Sequence, residues 1–321
     1  MSELRVARPG LQTTVQDLGR WGYQARGVPV AGPMDAWSHR VANALVGNPP
    51  DRATLEVTLV GPELVFDDKR MVAVAGAEFE ATLDGQPVPM HAAFVASPGS
   101  RLAFGRRQKG ARAYIAIEGG IEVAPVLGSR ATNVAIGMGG LGGRPLRAGD
   151  ALPLGRSTAP MRNVSSEGRT ATRLPSLGPL SDGYARVRVL SGPQQDYFTD
   201  HAIATLQAAP YIVGQRSSRM GFRLEGARLA HNRGADIISD ATPMGAIQVP
   251  ASGLPLLLMA DRPTTGGYPK IGVVITADLG LAGQLGPGDA ISFAVCTPQE
   301  AMTALIAQER ALMAIEGHEV P

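Results

Sequence analysis

The feature that most constrains this chain is its punctuation. Short apolar, β-branched runs are cut by Gly, Pro and Asp before a helical period can establish itself. In the first half they read "LEVTLVG", "LVF", "MVAVAGAEFEATL", "AAFVA" and "RAYIAIEGG". Runs of this length bounded by turn formers are strands. Asp84-Gly85 between two alternating runs is a hairpin signal, because both residues tolerate the left-handed backbone that a tight turn needs. The same style returns after residue 184 in "ARVRVLSG", "GFRLEGARL", "AIQV", "LPLLLMA", "VVITA" and "AISFAV". The 40 glycines and 25 prolines among 321 residues fit many tight turns. The expected fold is mainly β, in two blocks with a few covering helices: residues 1–155 and 184–321, joined by the Ser-, Thr-, Gly- and Pro-rich connection 156–183. "LRAGDALPL" and "LGPGDAISF" echo each other before a strand in each block, which fits either a duplicated barrel or one common turn type.

Three helices are expected. Pro33–Val46 places Met34, Trp37, Val41 and Leu45 on one face. A second runs from Gln194 to about Ala208. The third starts at a capping box, Thr297 with Glu300, presents Ala301, Leu305, Leu312 and Ile315, and ends at Gly317.

Composition excludes several classes. The formal charge of +2 and 5% aromatics give no basic-aromatic surface for nucleic acid. No apolar run approaches the roughly 18 residues of a membrane span, and "MSELRVARPG" is not a secretory signal, so a soluble cytoplasmic protein is expected. The single cysteine, Cys296, permits no intrachain disulfide and reads as a small buried residue. Five histidines lack metal-ligand spacing, so no metal site is expected; His39 and His201 read as surface or partly packed helix residues.

"GMGGLG" (137–142) matches a dinucleotide-binding loop literally, but no helix can begin in the "GRPLRAGD" that follows, and the loop needs one. A Walker A loop is absent. "TTGGYPK" (264–270) offers hydroxyls, glycine amides and the Lys270 charge, either as an anion cradle or as a plain turn. "TTVQDLGRWGYQ" (13–24) and "GQRSSRMGF" (214–222) also gather polar groups beside glycines, and Arg216 and Arg219 have the fork that grips an oxyanion.

Together "QTTVQDLGRWGYQARGVPVAGPMD", "VLGSRATNVAIGMGGLGGRPLRAGD", "SSRMGFRLEG" and "GAIQVPASGLPLLLMADRPTTGGYPKIG" resemble one family over residues 5–295. It is the C component of the bacterial ATP-dependent 5-oxoprolinase, also called allophanate hydrolase subunit 2 or KipA-like, and half of the carboxyltransferase domain of urea carboxylase. The resemblance implies cyclophilin-like β-barrels. It also implies two protein partners, a KipI-like B component and a LamB/YcsF-like A component, and hydrolysis of 5-oxoproline to L-glutamate with ATP used by the complex. Two alternatives come with it: a biotin-dependent carboxyltransferase component acting on urea or a related amide, and a non-catalytic regulator that binds a KipI-like kinase inhibitor. The Ala-Met-Lys-Met attachment motif is missing, so biotin is not attached to this chain. By the same resemblance Lys270 and Arg216 would stabilise charge, and Gln16, Thr264, Thr265, Tyr268, Ser217 and Arg219 would bind substrate. Asp17 and Arg20 match the early motif too. The chain departs from the family at Pro263, where a glutamine is usual.

Overall fold

The computed structural model describes residues 2–157 and 183–316. These fall into two compact units, the first taking residues 2–20, 31–157 and 310–316 and the second 21–30 and 183–309. The connection read at 156–183 lies almost wholly outside the described residues, as does Gly317.

The first unit is a nine-stranded antiparallel sheet. Its spine is a pair of long strands, Arg70–Leu83 and Arg101–Ile117. Alternate residues of the surrounding strands, among them Leu4, Val6, Leu55, Val57, Leu64 and Phe66, close one dry core. The Asp84-Gly85 turn forms as expected: Asp84 has φ 52°, Gly85 φ 81°, and Leu83 faces Gln86 across the hairpin.

The second unit is a closed seven-stranded barrel. Its order is Tyr184–Ser191, Lys270–Val274, Ala246–Gln248, Leu256–Leu258, Gly221–Glu225, Tyr211–Val213 and Ala290–Val295, and the last strand closes on the first in parallel. The chain is thus mainly β, as the turn punctuation implies. In each unit a Gly-Asp turn feeds a strand: the Asp150 carboxylate accepts the Arg147 N–H at 2.7 Å, and the Asp289 carboxylate accepts the Gly286 N–H at 2.7 Å. The echo between "LRAGDALPL" and "LGPGDAISF" thus corresponds to the same turn geometry in each unit, with Gly149 and Gly288 both near φ 90°.

Two of the three expected helices start later than the sequence suggests. The first is Ala36–Leu45, capped by the Asp35 side chain accepting from Ser38 N–H. The second begins only at Asp200, because Phe198 is extended and Thr199 supplies the cap; Gln195–Tyr197 before it is a single tight turn. The capping box holds: Glu300 accepts the Thr297 N–H at 2.7 Å and Thr297 accepts the Glu300 N–H at 3.2 Å, opening Pro298–Glu316. A short helix, Leu279–Gly283, has no sequence signal of its own. Cys296 is half-buried rather than buried, because it lies just past the end of strand Ala290–Val295.

His39 is fully buried, against the surface role its helix position suggests. Its Nε2 faces the Pro50 carbonyl at 3.0 Å and its Nδ1 the Thr54 hydroxyl at 2.9 Å. The carbonyl can only accept, so Nε2 carries the proton and Thr54 donates to Nδ1. Burial pushes the imidazole down from 6.5 to about 4. A depressed folded value means that the unfolded chain binds the proton first. The stability is therefore complete above pH 6.5 and drains away as pH falls toward 4, by up to about 3 kcal/mol. Urea unfolding at pH 7 and pH 4.5 should show a steeper acid loss for the natural chain than for His39→Gln; parallel losses would exclude this residue as the source.

Candidate functional site

In the second unit, residues 261–269 connect strand Leu256–Leu258 to strand Lys270–Val274, which lie on either side of Ala246–Gln248. The connection is more than a turn. Thr265–Gly266 pairs with Asp240–Ala241 as a two-stranded flap. Gly266 lies against the Gln248 side chain: a Cβ there would come 2.5 Å from Gln248 Nε2, so that side chain would have to move to admit one. Thr242 ties the connection back: its N–H donates to the Thr264 carbonyl and its hydroxyl to the Pro263 carbonyl.

Lys270 is 1% exposed, and its Nζ donates to Asp240 Oδ2 at 2.8 Å, its one partner among the described residues. Gln194 braces both residues, accepting the Lys270 backbone N–H at 3.2 Å and donating to Asp240 Oδ2 at 3.4 Å. The Lys270 ammonium holds the Asp240 carboxyl below its ordinary range. Among the described residues the side-chain hydroxyls of Thr264, Thr265 and Tyr268 make no hydrogen bond. Thr264 is half-buried and the other two are exposed, so all three can meet a ligand.

The "SSRM" loop joins the same region. Arg219 grips Asp261 bidentately, Nε to Oδ2 at 2.9 Å and an Nη to Oδ1 at 3.1 Å, with both side chains buried. The backbone follows, Asp261 N–H donating to the Arg219 carbonyl. Arg219 is thus engaged within the fold. Ser217 uses its hydroxyl to accept the Arg223 N–H at 3.1 Å, and Arg216 stands exposed with no partner among the described residues. Arg262, next to Asp261, is buried as well; its Nε donates to the Thr242 carbonyl at 2.7 Å.

Gln16 belongs to the first unit, at the end of a strand whose last four residues are all buried. Its Nε2 donates to Thr14 Oγ1 and to the Thr132 carbonyl, both at 3.0 Å, which fixes the amide's orientation. Its Oε1 is buried with no partner among the described residues. Asn133, on the neighbouring segment, is the reverse: Oδ1 accepts the Ala135 and Ile136 N–H groups, and the buried Nδ2 has no partner among them. Asp17 accepts from Gly19 N–H, Ser129 hydroxyl and Arg130 N–H, and Arg20 donates to the Ala131 carbonyl, so both hold the 129–132 segment in place. The glycine-rich loop closes over it. No helix follows "GMGGLG", and Cβ atoms at Gly139 and Gly140 would strike Ala131 O and Thr132 Oγ1 within 2.1 Å.

The model of the carboxyltransferase domain, subdomain A and B, matches residues 26–295. The chain belongs to this carboxyltransferase family. It is 37% identical to the 5-oxoprolinase C component of Escherichia coli K12 over 96% of each chain. It is also 34% identical to urea amidolyase of Saccharomyces cerevisiae, covering 98% of this chain and 18% of that one. The crystal structure of the K. lactis urea amidolyase superposes with a TM-score of 0.89 at 33% identity, over 98% of this chain and 20% of that one. Both yeast proteins are thus several times longer than the chain described here.

Sequence reasoning misses three residues that the carboxyltransferase fold brings forward: Asp240, Asn133 and Arg262. Asn133 and Arg262 lie inside motifs that carry the resemblance, so the signal is present. Asp240 reads as a strand-end carboxylate, and only the flap pairing reveals its partner. Among the described residues no group of three or more His, Cys, Asp or Glu could hold a metal, and no helix is long and apolar enough to cross a membrane.

Proposed function

We propose that this chain is the C component of an ATP-dependent 5-oxoprolinase, a cytoplasmic complex with a KipI-like B component and a LamB/YcsF-like A component that hydrolyses 5-oxoproline to L-glutamate. The observation that carries the reading is end-to-end identity, 37% over 96% of both chains, with a relative named as the C component of 5-oxoprolinase.

The chemistry asks for three things from such a chain. The lactam is unreactive because its amide is resonance-stabilised, and ATP supplies the means to activate the amide oxygen. The chain must then read an amide, stabilise negative charge and orient the ring. In the first unit Gln16 Oε1 and Asn133 Nδ2, a buried acceptor and a buried donor without partners among the described residues, are the kinds of group that pair with the N–H and the C=O of an amide. Leaving such groups unpaired costs stability, about 1–3 kcal/mol each, which an amide ligand would recover. In the second unit, taken by itself, Lys270 offers a buried positive charge and Arg216, on one of its loops, an exposed one. Thr264, Thr265 and Tyr268 offer accessible hydroxyls, while Ser217 and Arg219 shape the loop that carries Arg216.

A second reading has its own support: transfer of a carboxyl group to urea or a related amide from a biotin carried on another chain. Its support is the match to urea amidolyase across 98% of this chain. The test is glutamate release from 5-oxoproline and ATP by this chain alone, with its KipI-like partner, and with both partners together. Release only from the full mixture is expected. A folded full mixture that releases no glutamate, but carboxylates urea when a biotin carboxylase and carrier are added, would replace the first reading with the second.

A further inference from the structure

The three buried cations of the second unit's site region are not equally matched. Lys270 has Asp240, and Arg219 has Asp261. Arg262, only 9% exposed, has no carboxylate within ion-pair distance among the described residues. Its hydrogen-bond partners are two carbonyls, Thr242 O at 2.7 Å and Met259 O at 3.5 Å. The nearest acid in sequence, Asp261, already spends both oxygens on Arg219. Burying a charge without a counter-charge is costly, and carbonyl dipoles offset that cost only in part.

The surroundings are built rather than incidental. Thr242, itself 5% exposed, fixes the guanidinium through its carbonyl and the following loop through its N–H and hydroxyl. The guanidinium is therefore held at one place beside the segment that carries the unpartnered hydroxyls of Thr264 and Thr265. A planar fork with hydroxyls close by in the chain suits an oxyanion better than a neutral group.

We propose that Arg262 anchors an oxyanion, a carboxylate or a phosphoryl group, borne by the ligand of this unit. Lys270 comes with its own carboxylate, whereas Arg262 makes no ion pair among the described residues and feels Asp261, which is engaged with Arg219, only as a nearby charge, so Arg262 is the cation with most to gain from an anionic ligand. Burial also disfavours its charged form, which an incoming anion would reverse.

The test is direct binding to the full-length chain, by calorimetry and by melting temperature in chloride buffers of matched ionic strength. The probes are inorganic phosphate, L-5-oxoproline and 2-pyrrolidinone, the same lactam without its carboxylate. At least one of the two anions is expected to bind, with at least tenfold loss of affinity in Arg262→Gln and a smaller loss in Arg262→Lys. 2-Pyrrolidinone should not respond to either change. Binding of phosphate alone assigns the site to a phosphoryl group, and binding of 5-oxoproline alone to a carboxylate. The 5-oxoproline arm rests on the proposed function and the phosphate arm does not. Neither requires turnover, so failure of the reaction and failure of the site are separable. A folded natural chain that binds neither anion would overturn the assignment. So would unchanged affinity in Arg262→Gln, or in Arg262→Lys should the glutamine variant not fold.

Discussion

Asp261→Ala is expected to cost about 3–5 kcal/mol of stability, because it strips a buried guanidinium of its carboxylate. At 6% and 3% side-chain exposure, Arg219 and Asp261 are shielded from the solvent screening that makes surface pairs weak. The pair also straps two loops: the backbone of Arg219 accepts the Asp261 N–H, and Met220 accepts the Met259 N–H beside it. With roughly 2–4 °C per kcal/mol for a unit of this size, the melting temperature should fall on the order of 10 °C. Arg219→Met with Asp261→Leu removes both charges and should recover most of that loss, since an apolar pair avoids the desolvation penalty. Calorimetric melting of the two variants against the natural chain decides it. A fall below about 1 kcal/mol for the single variant would mean that the pair is not the strap described.

That pair also marks where sequence reading stops. The strands are legible because their length and turn residues are local properties: Asp84-Gly85, Gly149-Asp150 and Gly288-Asp289 each fix a turn within four residues. The capping box at Thr297 is legible for the same reason. The helix at 200–208 reads as starting too early because Tyr197 and Phe198 supply an apolar face that the extended Phe198 backbone interrupts. The candidate site divides in the same way. Motifs point to Gln16, Arg219, Thr264 and Lys270, yet what Gln16, Arg219 and Lys270 do depends on partners 30 to 116 residues away: Thr132, Asp261 and Asp240. Whether an arginine is a spare charge or half of a strap is a tertiary fact. Arg216, Arg219 and Arg262 look alike in sequence, and they prove to be exposed, ion-paired, and buried with no ion pair among the described residues.

If the chain is the C component proposed above and Lys270 meets charge on the ligand, Lys270→Met is expected to lower the turnover of the reconstituted mixture by about 10²- to 10³-fold, the range seen when one group aimed at developing negative charge is removed. Methionine keeps the length and apolar contacts of the lysine stem, so the loss would report charge rather than packing. The stability change should be small by comparison. Asp240 is half-exposed, at 49%, and water screens its side of the pair, which limits that pair to about 1 kcal/mol or less. The variant separates two roles that the geometry allows. If the ammonium exists to pin the flap through Asp240, then Asp240→Asn should reduce activity as much as Lys270→Met, because either change frees Asp240–Ala241 from Lys270. If it exists to meet charge on the ligand, Asp240→Asn leaves the ammonium in place and relieves it of a competitor, and activity should survive within about tenfold. Turnover of both variants at saturating substrate, beside their melting temperatures, distinguishes the cases. Equal losses in both would make Lys270 a positioning residue and leave Arg262 as the buried cation of this unit with a charge to offer.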